Sequence, residues 1–432
     1  MPTTRLRLTS PAIAAALYLL SIPAAALEVS YSGFGTVGYA RSDRAYTYQR
    51  FVDDGGTFKR DSVVGLQVDS TFADRWGATV QAKVAPATAS ENRYEGTISW
   101  AFLAYRPTND WLFRAGKQRI PLYLYSETYD VGATYDFARL PTEMYSILPS
   151  NDFIGLSFSK SWSIPRGDIS LDGYWGKSTN DFRSWLRDDI PSLGGSGAKF
   201  THLDFKGEGL FMSFKGKDQT VRVGIGRAVI QRSDRQPLPA AYSFVDVAPG
   251  VGYYQVDASL PGPGVPASKS VTNTTITLGA ELGLPSDFRI VSEFAHSVVR
   301  HSDLAPQATR GYVAVLKRID KWTPYATYAF LRSPSKDLDF YKRVNYNSVP
   351  SLIPGAFQIN ASQRAGADQI VVFDQRSWAI GTSYSFSAKS KLKAEYLKTR
   401  IGEVSHLVDA PPGSDIRNQD INVLSLSYSV VF

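Results

Sequence analysis

The residues best able to bind a metal or transfer a proton are four histidines, His202, His296, His301 and His406, and their spacing suits neither task. None stands in the H-E-x-x-H pattern of zinc enzymes, and only two of them are close in sequence. Cysteine is absent, which excludes thiolate metal sites, cysteine catalysis and a disulfide framework. The chain also lacks the G-x-S-x-G pattern of serine hydrolases, although a serine and a histidine on neighbouring strands would leave no such trace. We therefore expect no metal, no cofactor and no enzyme activity.

One short segment, Gly33-Phe34-Gly35-Thr36-Val37-Gly38, matches the G-x-G-x-x-G pattern of dinucleotide-binding proteins. That pattern binds phosphate only where it opens a helix inside a β-α-β unit. Here the glycines lie within a predicted strand that another strand follows. We interpret them as places where a strand bends or another backbone approaches closely.

The charged side chains are spread along the whole chain. Lys and Arg number 47 and Asp and Glu 40, so that the formal net charge is +7. A nucleic-acid-binding protein would cluster its basic residues on one face, so we expect no nucleic-acid partner. The hydrophobic share of 43 % and the charged share of 20 % are those of an ordinary folded protein.

The elements that must position these residues are β-strands. Helical periodicity is hard to find, whereas apolar residues alternate with small or polar ones in segments such as 76–84 and 94–105. In the second segment, Ile98, Trp100 and Phe102 are predicted to share one face. Segments of 9 to 13 residues are longer than most strands of soluble sheets. They match the length of about 9–11 residues that a tilted strand needs to cross a bilayer.

The connections between these strands alternate between short turns and long loops. Turn signals lie at 73–75, 106–110, 163–167, 216–219, 285–287, 319–321 and 388–390. Longer polar stretches lie near 40–60, 85–93, 119–150, 179–200, 231–270, 300–309, 333–374 and 403–419. Fifteen connections join sixteen strands. An even strand number, with both chain ends on the short-turn side, is typical of outer-membrane barrels.

Aromatic residues distinguish a membrane barrel from a soluble sandwich, because both show the same alternation along each strand. Several aromatic residues flank the short turns and others lie near loop ends: Trp76, Trp111, Phe288, Trp322 and Phe386 in the first group, Tyr39, Tyr94 and Trp378 in the second. Two interfacial girdles explain this placement, and a sandwich core does not. The sequence therefore predicts an all-β fold, a transmembrane antiparallel β-barrel of about sixteen strands.

The amino terminus has the features of an export signal. Arg5 and Arg7 precede the mostly apolar segment 11–20, and Ala24-Ala25-Ala26 offers a cleavage site. The apolar run is half of the about 20 residues that a membrane-spanning helix needs. We predict that residues 1–26 are a cleaved signal peptide and that 27–432 form a single barrel domain.

The carboxyl terminus carries the most specific resemblance. Leu424, Leu426, Tyr428, Val430 and Phe432 share one face of the last segment, and the chain ends on Phe432. This segment resembles the closing strand of Gram-negative outer-membrane porins, and 33–39 is similar to their first strand. Segments 100–107 and 114–123 are similar to uncharacterised proteobacterial porin-like proteins.

The resemblance implies a passive channel, a homotrimer and an outer-membrane location in contact with lipid and lipopolysaccharide. It also implies that Phe432 and Tyr428 form a signal that the barrel-assembly machinery recognises. In trimeric porins of this kind, a loop after the fifth strand folds back into the lumen. Here that third loop would be 119–150.

The composition of 119–150 agrees with an inward fold, because a loop rich in tyrosine and other apolar residues needs burial. The alternative is an external loop packed on its neighbours. We expect a pore constriction between a basic wall and an acidic loop, since fixed charges select permeant ions. Strand parity gives the wall as Lys83, Arg114, Arg222, Arg289, Lys391 and Lys393, and the loop acids are Glu127, Asp130, Asp136 and Glu143.

The sequence thus predicts a water-filled channel for small hydrophilic solutes or ions with a weak preference for anions, because six wall cations stand against four loop carboxylates. The alternative is a structural or adhesive barrel whose long loops 231–270 and 333–374 bind a partner. The charged residues themselves also allow an alternative to a constriction. They could pair with one another and be spread over the height of the lumen.

Overall fold

The computed structural model describes residues 28–147, 152–189 and 195–432. The predicted signal peptide, 1–26, lies outside the described residues. Sixteen antiparallel strands form a closed barrel, as predicted. Its first nine strands are β1 Glu28–Ser42, β2 Val63–Ala73, β3 Trp76–Pro86, β4 Tyr94–Thr108, β5 Trp111–Arg119, β6 Asp152–Ile164, β7 Gly167–Leu186, β8 Gly197–Lys215 and β9 Gln219–Arg232.

The remaining barrel strands follow a long external loop that has strands of its own. The loop strands are β10 Leu238–Pro239, β11 Ser243–Ala248, β12 Val251–Gln255 and β13 Ala267–Ser268. The barrel strands are β14 Val271–Leu284, β15 Phe288–Arg300, β16 Ala308–Lys317, β17 Trp322–Arg332, β18 Phe373–Ser387, β19 Ser390–Ser405 and β20 Asp420–Val431. The barrel closes where β1 pairs with β20.

The faces of the strands are inverted relative to a soluble protein. On β14, Ile276 and Leu278 are half exposed on the outside, at 52 % and 50 %, whereas Thr275 and Thr277 are buried inside. Polar side chains therefore line the interior, as in a membrane barrel. Outward-facing rings pair near the short turns, for example Trp76 with Tyr105 at 4.5 Å between ring centroids.

The predicted face of β4 is wrong at one point. Ile98 pairs with Ala82 and is exposed outside, whereas Trp100 pairs with the inward-facing Gln81. A register irregularity between Gln81 and Ala82 inserts an extra residue into β4. Such a bulge shifts the alternation by one residue, so that Ile98 lies on the opposite face from Trp100.

Two helices were not expected in the loop 333–374. They are α2 Ser335–Tyr346 and α3 Ala356–Ala367, and a further short helix, α1 Thr142–Tyr145, lies in the third loop. Leu338, Tyr341 and Val344 of α2 are buried against residues of other external loops, including Tyr242. None of the helices in the described part of the chain is long and apolar enough to cross a membrane.

The last strand ends at the seam of the barrel. The backbone N–H of Phe432 donates to the carbonyl of Gly33 at 3.0 Å, and the N–H of Gly33 donates back at 2.9 Å. The Tyr428 side chain faces outward, and its ring centroid lies 6.2 Å from that of Phe386. Both predicted residues of the assembly signal therefore lie at the closure, on the short-turn side.

Candidate pore constriction

The loop that follows β5, which we call the lumen loop (residues 120–147), crosses the inside of the barrel. Its backbone N–H groups at Leu124 and Ala138 donate to Glu293 of β15 at 2.8 Å and to the hydroxyl of Tyr325 of β17 at 2.9 Å. A side chain at Gly132 would collide with Ser429 of β20 and with β1. A segment that contacts so many inward-facing wall positions lies inside the barrel.

All six predicted wall cations contact this loop. Lys83 binds Asp130 at 2.8 Å, Lys391 binds Asp136 at 2.7 Å, and Arg289 binds the same Asp136. Arg114 lies 3.8 Å from Glu127. The other two donate to backbone carbonyls: Arg222 to Pro121 at 2.7 Å, and Lys393 to Gly132 at 2.5 Å.

The four predicted loop acids are used in two ways. Glu127, Asp130 and Asp136 form the ion pairs just described. Glu143 is buried and contacts none of the six cations among the described residues; it accepts hydrogen bonds from Gln375 at 2.8 Å and from Ser377. Glu143 therefore fastens the loop to β18.

Asp136 lies between the cations Lys391 and Arg289, which lower its pKa. Burial alone would raise the pKa of this carboxyl, but Lys391 and Arg289 outweigh burial and hold the pKa below its usual value of 3.8. Asp136 is therefore ionised at neutral pH. It also accepts a hydrogen bond from Ser383 at 2.9 Å.

Several further charges at the loop were not predicted. Arg119, at the end of β5, shares Asp130 with Lys83. Arg139 forms a bidentate ion pair with Asp61, in which the Arg139 Nε atom lies 2.8 Å from Oδ1. Burial would raise the pKa of Asp61, but the Arg139 guanidinium outweighs burial and holds the pKa below its usual value. Asp61 belongs to an external loop, so strand parity could not indicate this pair.

Buried carboxylates in the wall also escaped the sequence prediction. Glu293 accepts hydrogen bonds from the hydroxyls of Tyr145 and Tyr312, the second at 2.9 Å, and Glu395 accepts one from Tyr325 at 2.9 Å. A satisfied hydrogen bond offsets the cost of burying a polar group. The signal for this was present, since these acids lie at inward positions opposite a loop rich in tyrosine.

On the external side of the lumen loop lies a cavity of about 1250 Å³, which we call the vestibule. Its lining contains eleven Lys or Arg residues against six Asp or Glu residues, together with four phenylalanines and four tyrosines. Of the predicted residues, Lys83, Lys393 and Asp130 line it. The other predicted charges are not among its lining, and Arg289 and Lys391 are the second residues of β15 and β19, close to the short turns. The candidate charges therefore occupy at least two levels of the lumen.

Ion pairs between loops cover the vestibule. Arg183 of β7 binds Asp409 of the β19–β20 loop at 2.6 Å, and Arg187 binds Asp368 at 2.7 Å. In the closed strand order, β7 lies opposite β19 and β20. These contacts therefore bridge the external mouth from one side to the other.

The residues considered for other chemistry are dispersed. His296 is on the outer face of β15 and contacts Thr309 at 2.8 Å, while His406 is held by backbone groups of an external loop. His202 contacts Asp181, and His301 lies in the loop after β15. No group of three or more metal-ligating side chains occurs among the described residues. The glycines of 33–38 lie within β1, so this segment does not open a helix.

Solved structures share this architecture at very low sequence identity. OmpT, expressed in the outer membrane of Vibrio cholerae, is 13 % identical with a TM-score of 0.52, over 95 % of this chain and 99 % of that one. OmpTdeltaL8, its loop L8 deletion mutant, is 14 % identical with a TM-score of 0.53, over 94 % and 100 %. OprB of Pseudomonas putida is 9 % identical with a TM-score of 0.52, over 94 % of each chain. The fold is that of an outer-membrane barrel.

The sequence comparisons add no closer relative. No family model matches the chain, and no curated protein matches it. The outer-membrane barrel fold therefore rests on the sixteen closed strands and on the solved structures.

Proposed function

We propose that the chain is an outer-membrane porin, a passive water-filled channel for small hydrophilic solutes or ions with a weak preference for anions. The observation that carries the proposal is the lumen loop, held inside a closed sixteen-stranded barrel by charged wall residues. Sixteen strands leave an aqueous lumen, and fixed charges at its narrowest part select ions. The excess of basic residues around the vestibule supports the anion preference.

The proposal includes how the protein is made. Residues 1–26 are removed on export, the remaining chain forms one barrel in the Gram-negative outer membrane, and three copies assemble in contact with lipid and lipopolysaccharide. The barrel-assembly machinery recognises Phe432 and Tyr428. Deletion of Phe432 is expected to reduce the yield of heat-modifiable barrel, and a normal yield would contradict that role.

The adhesive alternative has less support from the loops. Loops 231–270 and 333–374 pack on each other: Tyr254 N–H donates to Gln363 at 2.9 Å and Asn347 donates to the Gly252 carbonyl at 2.8 Å. Arg187 holds the second of these loops to the β7 side of the mouth. Some of the polar groups of these loops therefore form hydrogen bonds and ion pairs within the protein rather than facing a partner.

Reconstitution into planar bilayers and liposomes tests the channel. The purified barrel is expected to give stepwise conductance and to let small sugars, but not large oligosaccharides, swell liposomes. A folded, heat-modifiable barrel that gives neither conductance nor swelling would contradict the proposal and favour the adhesive alternative.

A further inference from the structure

The floor of the vestibule carries more positive than negative charge. On one side, Lys83 and Arg119 share the single carboxylate of Asp130. On the other side, Arg60 and Lys393 also lie near the pair formed by Asp61 and Arg139. Asp152, which pairs with Lys117 at 3.1 Å, also lies near Lys83 and Arg119, so that six cations meet three carboxylates at the floor of this cavity.

Two buried cations of the lining form no ion pair among the described residues, although the carboxylates of Asp61, Asp136 and Glu395 lie near the second of them. Arg310 is 2 % exposed and donates to the hydroxyls of Tyr123, at 2.6 Å, and Ser297, at 2.9 Å. Lys393 is 1 % exposed, and its ammonium lies 4.2 Å from the centre of the Tyr135 ring. Neither has a carboxylate oxygen within 4.0 Å in the described part of the chain. Burying a cation that forms no ion pair is costly, so such a site favours an incoming anion.

Two guanidinium groups at the floor also have an N–H group without a hydrogen-bond acceptor. The Nε atoms of Arg60 and Arg119 are buried and have no hydrogen-bond acceptor among the described residues. A buried donor without an acceptor destabilises the folded protein. A small movement of either side chain towards the cavity would let the Nε donate to a carboxylate there.

The remaining lining is partly aromatic and apolar. Tyr129 and Tyr135 lie beside these cations, and rings such as Phe51, Phe182 and Phe373 line other parts of the vestibule. Apolar and aromatic walls with a few convergent charged groups are typical of sites that bind organic molecules.

We infer that the vestibule is a binding site for organic anions with a flat apolar body, of which an aromatic carboxylate is the simplest. The inference rests on the proposed channel function and names its preferred substrate class. The carboxylate binds at the floor near Arg60 and Arg119. Their guanidinium groups can donate charge-assisted hydrogen bonds, which are stronger than hydrogen bonds between neutral groups. The ring of the ligand packs against the aromatic lining. The site concentrates such anions above the lumen loop.

Current block in planar bilayers tests the inference, with three probes that separate charge from shape. Benzoate has both features, acetate has the charge alone, and benzyl alcohol has the ring alone. Benzoate is expected to interrupt the current of open channels in a saturable way, while the other two leave it unchanged at equal concentration. Equal effects of benzoate and acetate would overturn the inference and leave the channel proposal intact.

A pair of variants locates the site. Arg60→Gln is expected to raise the half-blocking concentration of benzoate about tenfold, because it removes one charge-assisted contact. The matched control is Arg166→Gln, which removes an exposed arginine in the β6–β7 turn, outside the vestibule. Identical block in the two variants would contradict the site.

A second readout does not depend on conduction. In saturation-transfer NMR of the folded barrel in micelles, the benzoate ring is expected to receive magnetisation from the wild-type protein and from Arg166→Gln, and much less from Arg60→Gln. A barrel that is silent in bilayers but gives this NMR pattern would refute the channel and support the site. Equal NMR transfer in all three proteins would refute the site.

Discussion

The two halves of the barrel wall treat the lumen loop differently. On β14–β20, inward residues such as Glu293, Ser377 and Thr399 are at most 2 % exposed. On β2–β9, inward residues such as Thr97 and Asp172 are only half-buried. We call these the covered wall and the open wall. The open wall has buried positions too, an aromatic cluster of Phe153, Tyr174 and Phe211 and a few polar residues. These polar residues are Gln81, Gln118 and Arg119.

The difference shows where the path through the barrel runs. Against the covered wall the loop packs rings and meets buried hydrogen-bonding groups: Phe137 lies 5.2 Å from Tyr325 between ring centroids. Against the open wall it packs near one aromatic cluster and otherwise makes polar contacts at single points, through Lys83, Arg114 and Arg222. Solutes in the proposed channel therefore pass between the loop and the open wall. The six predicted cations divide accordingly into three beside the path and three that fasten the loop.

Removing a packed ring between the lumen loop and the covered wall should have the largest effect on the stability of the barrel. Phe137 is 1 % exposed, so Phe137→Ala is expected to destabilise the folded barrel by about 3–5 kcal/mol. The temperature at which the barrel loses its folded mobility on a gel measures this. The control is Phe357→Ala, whose ring is 89 % exposed in α3 and should matter little. Equal loss in both variants would mean that the loop is not packed against this wall.

An arginine introduced at three positions compares lipid, covered wall and open wall. Leu278→Arg places a charge on the lipid side and should cost about 2–4 kcal/mol. Thr277→Arg should also be costly, because Thr277 is 3 % exposed beneath the loop and the larger side chain does not fit. Thr97→Arg, on the open wall, should be tolerated within about 0.5 kcal/mol. Similar unfolding free energies for Thr277→Arg and Thr97→Arg would remove the distinction between the walls.

The ion pairs of Asp136 should show a defined dependence on pH. Its pKa is lowered in the folded protein, so this carboxylate stabilises the barrel above the ordinary value of 3.8, and the contribution disappears as the pH falls through the lowered value. Asp136→Asn is expected to cost about 1.5–3 kcal/mol at neutral pH. The difference from the wild type should remain constant down to about pH 4 and shrink below it. A difference that is constant to pH 2 would mean that the charge on Asp136 contributes nothing.

The strands and turns could be predicted because a barrel strand repeats every two residues and its turns carry Gly, Pro, Asp and Ser. The same periodicity places Leu278 outside and Thr277 inside, and directs all six cations to the loop. The bulge near Ser99 left no mark in the sequence, since an extra residue in a strand needs no special side chain. Helix α2 was missed because only Leu338, Tyr341 and Val344 form its buried stripe.

The choice of wall by the lumen loop could not be predicted either. It depends on contacts between residues far apart in sequence, such as Tyr145 with Glu293 and Glu143 with Gln375. Each of these residue types is also common on exposed loops, so its identity does not indicate which wall it contacts. Their roles appear only when the barrel closes and brings the strands of the covered wall together.

The measurement closest to the central claim is the reversal potential of the reconstituted channel in a gradient of potassium chloride. The reversal potential of the wild type should indicate a weak preference for anions at low salt. At high salt it should approach zero, because the Debye length becomes shorter than the width of the lumen. Arg114→Glu should move it towards cations, because Arg114 is on the open wall, about one third exposed and only loosely paired with Glu127. Arg166→Glu, in the exposed turn, should leave it near the wild-type value. A cation-side potential for the wild type, or no shift with Arg114→Glu, would contradict an anion-preferring path along the open wall.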